Sequence, residues 1–176
     1  MTGLRAMAEN DVPEVLEIIR QAQAFLAAQG IDQWQNGYPN AESTRNDIEK
    51  KQGYIYDVDG RPAGILSIVL GDEPSYQTIY GGEWRTAEPY ACIHRMAIGD
   101  RYRGGETADA MMRAAEALVI EKGIDYIRVD THRENVRMRR MLRRNGYVRC
   151  GVIYLSGRLE ANDERVAFDK LLNESG

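Results

Sequence analysis

The stretch RYRGGETADAMM, Arg101–Met112, joins a basic segment to two glycines and then, without a break, to the apolar spacing of a helix. An apolar strand pattern ends just before it, at Ile98. A turn from a strand into a helix leaves unpaired backbone N–H groups and the positive end of the helix dipole at one place. Glycine lets a ligand approach that backbone closely, and arginine can pair phosphate oxygens. The stretch therefore predicts an anion site; the alternative is an ordinary turn whose glycines only relieve crowding.

Glu106 is the unexpected residue of this stretch, because a carboxylate repels phosphate. A carboxylate in the first helical turn is also favoured by the helix dipole, by about 0.3–1 kcal/mol, which offsets part of that repulsion. No Gly-Lys-Ser or Gly-Lys-Thr follows the glycines, and their spacing does not fit the dinucleotide-binding fingerprint. The anion site is therefore of neither of these two kinds.

Strand and helix patterns alternate on both sides of this stretch. Period-3.6 spacing predicts helices over residues 9–30, 107–123 and 134–146, and residues 41–51 resemble a short, polar helix. Apolar alternation or short apolar runs predict strands over residues 4–7, 53–58, 61–70, 89–98, 125–131, 147–155 and 164–172. Asp11 and Glu14 have capping-box spacing at the first helix, and Asp59-Gly60 marks a hairpin turn. This order predicts an α/β fold: a mixed sheet flanked by helices on both faces.

Length and composition favour one compact domain over residues 1–176. The chain has 176 residues, of which 43% are hydrophobic. We expect a cytoplasmic protein without a membrane segment, because no apolar run approaches the ~18 residues of a span and the N-terminus lacks signal-peptide order. Two cysteines and two histidines, without metal-ligand spacing, predict neither a zinc site nor a disulfide framework. Cys92 and Cys150 are expected to be buried thiols.

The charge is unevenly distributed along the chain. Residues 95–149 contain twelve Arg and one Lys against eight Asp and Glu, a net charge of +5, so the remainder carries −9 of the total of −4. The basic half could meet a polyanion, although solvated helix faces explain most of its arginines equally well. Nucleic acid is not expected as the partner, because the chain is acidic overall and aromatic residues are not interleaved with the arginines.

Two motifs, together with the order of elements, resemble the GNAT superfamily of N-acetyltransferases. The family motif Q/R-x-x-G-x-G/A, which binds the pyrophosphate of acetyl-CoA, is matched by Arg103–Ala108 at its first and last positions, while Glu106 replaces the internal glycine. The segment 126–151 is similar to the family's strand, Asn-containing helix and Gly-Phe ending. In it, Asn135 lies where the family contacts the pantetheine arm, and Gly146-Tyr147 replaces Gly-Phe. The resemblance covers nearly the whole chain.

The resemblance implies a GNAT-like fold and transfer of an acetyl group from acetyl-CoA to a primary amine by direct attack in a ternary complex. No metal is implied. The implied acceptor is a small molecule or a peptide, and the alternative function is that of a catalytically weak acyl-CoA sensor. The cofactor-binding residues implied by position are Met96, Ala97, Ile98, Arg103, Gly104, Gly105, Glu106, Thr107, Ala108 and Asn135. The tyrosine that protonates the leaving thiolate in many members is replaced by Leu142.

Amine acetylation also needs a group that takes the proton of the attacking amine. His94, on the strand before the loop, is the first candidate, because an imidazole titrates near neutral pH. Its alternative is a structural histidine beside Arg95. Rival bases are Glu83, Glu88 and His132. Tyr90, Tyr147, Tyr154 or water are the candidates for thiolate protonation.

The acceptor pocket is expected to be walled by aromatic residues on two loops. These candidates are Trp34, Tyr38, Tyr76, Tyr80 and Trp84. Such rings suit an apolar or cationic amine, although each could instead close the edge of the core. The acidic first half favours a cationic amine. The sequence leaves open whether the protein is a monomer or a homodimer.

Overall fold

A computed structural model describes residues 1–157 and 161–173. Its α-helices are α1 (Val12–Ala28), α2 (Ala41–Glu49), α3 (Thr107–Glu121) and α4 (Val136–Arg144). Its strands are β1 (Gly3–Ala6), β2 (Gly53–Val58), β3 (Arg61–Leu70), β4 (Ala91–Ile98), β5 (Tyr126–Thr131), β6 (Val148–Tyr154) and β7 (Glu164–Leu171). The strands form a mixed sheet in the order β1-β2-β3-β4-β5-β7-β6. The α/β class and the order of elements predicted from the sequence are confirmed.

The chain divides into two compact units. The first unit contains Met1–Ile68 and His94–Ala115, and the second contains Val69–Ile93 and Glu116–Gly176. The expectation that residues 1–176 form a single domain stays a prediction.

The first unit begins with an antiparallel meander. β1 pairs with β2, and β2 pairs with β3. The predicted turn between β2 and β3 is present, with φ of 52° at Asp59 and 75° at Gly60. Positive φ at both central residues is what a tight hairpin needs to match the twist of its strands.

Helix α1 packs its apolar face on this meander. Its buried residues join others in one cluster: Met7, Val15, Ile18, Ile19, Ile55, Ile65 and Ala97. The predicted capping box at Asp11 is wrong, because its carboxylate accepts hydrogen bonds from the Arg5 guanidinium at 2.9 Å and from the Ala8 amide at 2.8 Å. A short 3₁₀ turn, Glu9–Asp11, precedes the helix. The helix ends as predicted, with Gly30 at φ 69°.

The second unit is built around β5, β6 and β7. β7 lies antiparallel to both β5 and β6, and the first residues of β4, Ala91 and Cys92, pair in parallel with β5. Its core cluster is rich in tyrosine: Tyr76, Tyr90, Cys92, Tyr126, Ile153 and Ala167. Cys92 and Cys150 are both buried thiols, as expected. Among the described residues, no helix has the length and apolar character that a membrane span requires.

Candidate functional site

The loop after β4 is held to the rest of the first unit at its start. The Gly99 amide donates to the Ala63 carbonyl at 2.9 Å, which ties the loop to β3. The Asp100 amide donates to Oε1 of Gln21 at 2.8 Å, which ties it to α1. A 3₁₀ turn, Asp100–Tyr102, follows. The predicted anion loop therefore leaves the strand on an anchored backbone.

The glycines of the loop present free backbone amides. Gly104 adopts φ 85°, and no heavy atom lies within 4 Å of where its Cβ would be. Within residues 1–157 and 161–173, the amides from Gly104 to Ala108 have no hydrogen-bond acceptor; the first bond of α3 runs from the Ala110 amide to the Glu106 carbonyl, at 2.9 Å. Glu106 itself is exposed. The backbone thus leaves a row of donors open to an anion, with the carboxylate in solvent.

Arg103 is folded back against its own unit. Its Nη2 donates to the Ile98 carbonyl at 3.2 Å, and its Nη1 pairs with the Asp100 carboxylate. The guanidinium also lies over the ring of Phe25 on α1, 3.9 Å from the ring centroid. Only 21% of this side chain is exposed. The arginine that the motif assigns to the phosphate is thus occupied by three protein partners.

The strand before the loop carries the candidate base and the implied backbone donors. His94 is half-buried, as are Met96 and Ile98, while Ala97 is buried in the cluster under α1. Arg95 interrupts the strand with φ 51°, the left-handed region. Such a conformation costs a non-glycine residue energy that its surroundings must compensate.

The compensation at Arg95 is a buried polar network that sequence reasoning missed. Nε and Nη2 of Arg95 each donate to Asp47 of α2 at 2.7 Å, and the Ser67 hydroxyl donates to the same carboxylate at 2.6 Å. Gln52 adds a further bond at 2.7 Å. Side-chain exposure is 18% for Arg95 and 4% for Asp47. The signal was an arginine inside an otherwise apolar strand.

The network also reaches the first aromatic loop. Nη1 of Arg95 donates to the Tyr38 hydroxyl at 2.9 Å, while the Tyr38 ring is 42% exposed. Trp34 is half-buried against the cluster under α1. A small open recess lies at the network, lined by Met7, Val15, Ile19, Pro39, Thr44, Asp47, Ile65, Leu66, Ser67 and Arg95. The structure therefore brings Tyr38 next to the residue that follows His94.

In the second unit, the aromatic loop residues have different environments. Tyr76 is fully buried, and its hydroxyl donates to Asp130 at 2.7 Å. Trp84 donates to the Tyr76 carbonyl at 2.9 Å, and the two ring centroids are 5.2 Å apart. Tyr80 is 40% exposed and meets the Tyr154 ring edge-on at 5.4 Å. Of these three aromatic residues, Tyr80 has the most exposed side chain.

This loop is pinned to the strands by two arginines that sequence reasoning did not single out. Nε of Arg85 pairs with Asp169 at 2.5 Å, and its amide bonds the same carboxylate at 3.1 Å. Arg128 donates to the Thr86 carbonyl at 2.8 Å and lies 3.9 Å from the centroid of the Tyr90 ring. The long segment between β3 and β4 is thus anchored, although it has little regular structure.

The segment between β5 and α4 contains the other family positions. Asn135 caps α4, with Oδ1 accepting from the Met138 amide at 3.2 Å. His132 is buried, and its Nδ1 accepts from the Glu134 amide at 3.2 Å, so this nitrogen is not available to an amine proton. Leu142 is fully buried. His132 is therefore a weaker candidate base than the half-buried His94.

The remaining acid and base candidates are spread over the second unit. Glu83 and Glu88 are exposed. The Tyr90 hydroxyl accepts from the Glu73 amide at 3.1 Å. Burial raises the pKa of Tyr147 well above its ordinary value, and Tyr154 lies 3.5 Å from Glu164. No single tyrosine is selected as the acid by these contacts.

Comparison with protein families assigns a family to most of the chain. The model of the acetyltransferase (GNAT) family matches residues 18–147. That range includes β4, the loop, α3, β5 and α4, and so nearly all of the candidate residues. A search of curated proteins found no match.

One solved structure supports the same family, and two more distant ones share the fold. A GNAT-family acetyltransferase from Streptococcus agalactiae is 30% identical, with a TM-score of 0.87, over 97% of this chain and 95% of that one. An enzyme from Salmonella typhimurium, described as modifying the N-terminal serine of ribosomal protein L7/L12, is 17% identical with a TM-score of 0.69, over 97% and 94%. RimL, a ribosomal L7/L12 α-N-protein acetyltransferase solved with coenzyme A, is 16% identical with a TM-score of 0.68, over 97% and 93%.

Proposed function

The chain belongs to the acetyltransferase (GNAT) family, and from this we propose that it transfers an acetyl group from acetyl-CoA to a primary amine of a small molecule or peptide. The observation that carries the proposal is the row of unbonded amides from Gly104 to Ala108. These donors lie at the N-terminus of α3, where the helix dipole favours an anion. Their position in the sequence is that of the family's pyrophosphate motif.

The loop leaves room for a pyrophosphate beside its amides. Side chains are absent at Gly104 and Gly105, so that two phosphate groups can approach the backbone. Arg101 is exposed beside the loop and adds positive charge. Acetyl-CoA supplies an activated thioester when it is bound. We assign the backbone of Met96–Ile98 to the pantetheine and the thioester carbonyl, and Asn135 to the pantetheine arm.

His94 is proposed as the general base, acting directly or through water. An alkyl amine is protonated at neutral pH, with a pKa of about 10, so its proton must be removed before the nitrogen attacks. His94 is half-buried and belongs to the strand that leads into the loop. Because Leu142 is buried and has no ionisable group, solvent water is the simplest proton donor to the departing thiolate.

The acceptor is proposed to be an amine that contacts aromatic rings. Tyr38 and Tyr80 are the most exposed of the five candidates, while Trp34 and Trp84 are half-buried and Tyr76 supports its neighbours from within the core. Two of the structurally similar proteins are described as acting on ribosomal protein L7/L12, which supports a peptide amine as one acceptor class, beside a small amine. A cytoplasmic location and a homodimer stay predictions.

The proposal is tested first by calorimetry with the ligand-free protein. We expect acetyl-CoA to bind in the micromolar range, with ATP much weaker. A Glu106→Gly variant should bind acetyl-CoA more tightly, because it removes a negative charge from the loop. Failure of the wild type to bind acetyl-CoA would overturn the proposal. Binding without turnover on any amine would favour the alternative, an acyl-CoA sensor.

The base assignment is tested by the pH–rate profile of His94→Ala. Removal of a general base lowers the rate, typically by about 10²–10⁴-fold, and abolishes the inflection caused by its protonation at low pH. The matched control is His132→Ala, which should keep that inflection. An unchanged profile in His94→Ala would exclude it as the base.

A further inference from the structure

We infer that Arg103 is a positioning residue, which holds the cofactor loop on α1, and is not itself a ligand of the phosphates. The inference rests on the proposed cofactor role of the loop, and goes beyond it by assigning the phosphate contacts at this position to the loop backbone and not to the Arg103 side chain. Arginine at this position would by charge alone be read as a phosphate ligand. Its three partners in the first unit, Ile98, Asp100 and Phe25, indicate a structural role instead.

Two nitrogens and one face of the Arg103 guanidinium already have protein partners. One edge donates to the Ile98 carbonyl at 3.2 Å, and Nη1 pairs with Asp100. One face covers the Phe25 ring, 3.9 Å from its centroid. A bidentate phosphate contact needs two parallel N–H groups on one edge. A bidentate contact through Nη1 and Nη2 would compete with the ion pair to Asp100 and with the bond to the Ile98 carbonyl.

The same contacts determine where the loop backbone lies. Ile98 is the last residue of β4, Asp100 begins the 3₁₀ turn, and Phe25 belongs to α1. Arg103 therefore connects the strand, the turn and the helix immediately before Gly104. Gln21, one helical turn before Phe25, holds the Asp100 amide from the same helix. We therefore expect two α1 residues, Gln21 and Phe25, to influence cofactor affinity without touching the cofactor.

Two variants test the clamp, and Phe25→Leu separates positioning from direct phosphate binding because it leaves the Arg103 side chain in place. Arg103→Lys keeps the charge but not the planar fork, so it should lose about tenfold in acetyl-CoA affinity. Phe25→Leu changes no charge and should lose about three- to tenfold by removing the ring beneath the guanidinium. Lys50→Gln, at an exposed site of the first unit, is the charge control and should bind like the wild type.

Hydrogen exchange in the absence of ligand tests the clamp independently of function. The amides from Gly99 to Arg103 should exchange about tenfold faster in Arg103→Lys and Phe25→Leu, with unchanged exchange in β2. Gln21→Leu is the milder variant, should either of the others fail to fold, and should expose the Asp100 amide first. The exchange of Lys50→Gln should match that of the wild type.

The outcomes distinguish the clamp from the proposed function. Faster loop exchange together with weaker acetyl-CoA binding in Phe25→Leu supports the inference. Unchanged exchange of the loop amides in Arg103→Lys, Phe25→Leu and Gln21→Leu overturns the inference. An Arg103→Lys variant that binds acetyl-CoA like the wild type also overturns it. Faster exchange in a protein whose wild type binds no acetyl-CoA supports the clamp and overturns the cofactor role of the loop.

Discussion

Replacing Asp47 by Asn should destabilise the protein by about 3 kcal/mol, because it leaves the Arg95 charge buried without its partner. Removal of one member of a buried ion pair costs about 3–5 kcal/mol, and the lower end applies because Arg95 keeps the Tyr38 hydroxyl. Asp47 accepts from Arg95, Ser67 and Gln52 at 2.6–2.7 Å, and only 4% of its side chain is exposed. Asparagine keeps the shape but not the charge.

The measurement is urea unfolding followed by circular dichroism and by tryptophan fluorescence. With a denaturant slope of about 2 kcal/mol per molar, the midpoint should fall by about 1.5 M. Glu17→Gln, which breaks the exposed ion pair to Arg20, is the control and should leave the midpoint unchanged. In a double-mutant cycle with Arg95→Met, the two changes should cost less together than separately, by about 1 kcal/mol or more. A loss below about 1 kcal/mol in Asp47→Asn, or strict additivity, would refute the reasoning.

Three further changes test other contacts. The Arg5 guanidinium lowers the pKa of Asp11. The stability that this pair adds is therefore present above the ordinary carboxyl pKa of 3.8 and is lost as the pH falls through the lower pKa of the folded protein. Between pH 5 and pH 2, the melting temperature of Asp11→Asn should fall less steeply than that of the wild type. Burial raises the pKa of Cys92 far above its ordinary value and that of Cys150 to about 12. The folded protein should therefore react with a thiol reagent at pH 8 far more slowly than the urea-unfolded chain. Rapid reaction of two thiols before unfolding would contradict this expectation. A Cβ at Gly82 would lie 1.8 Å from the Cys150 carbonyl oxygen. Gly82→Ala should therefore lower the free energy of unfolding by about 1–3 kcal/mol. An unchanged urea unfolding midpoint would contradict this and show that the loop can move aside.

Elements defined by local patterns could be predicted from the sequence. The Asp59-Gly60 turn requires only two residues that tolerate positive φ, and the apolar face of α1 follows from its own period. Asp11 is the N-cap residue of α1 as predicted, but its missing side-chain capping bond could not be predicted, because the carboxylate is bound by Arg5, which precedes the helix. A local motif fails where a neighbouring charge offers the same side chain a stronger partner.

In the candidate site, too, features set by local sequence could be predicted, and those set by distant contacts could not. Gly104 to Ala108 could be identified because an amide loop depends on glycine positions and on the start of a helix, both local features. The partners of Arg95 could not, since Asp47 is 48 residues away in a short helix that looks merely polar. An arginine within an apolar strand nevertheless predicts that a carboxylate must lie somewhere against it, because a buried charge without a partner is too costly. The sequence thus predicts that Arg95 has a buried carboxylate partner, and only the fold shows that this partner is Asp47.

The same reasoning applies to Arg103. Its charge and its place in the motif predict a phosphate contact, whereas its surroundings already supply an anion, a carbonyl and an aromatic face. A guanidinium that is satisfied within its own unit gains less from a phosphate than one held in solvent, because each new bond replaces an existing one. Arg101 is exposed, and its guanidinium lies 5.9 Å from the centroid of the neighbouring Tyr102 ring, farther than Arg103 lies from Phe25. If the charge of the loop contributes to cofactor affinity, Arg101→Gln should weaken acetyl-CoA binding and should lose its effect at high salt, while the defect of Phe25→Leu should persist there.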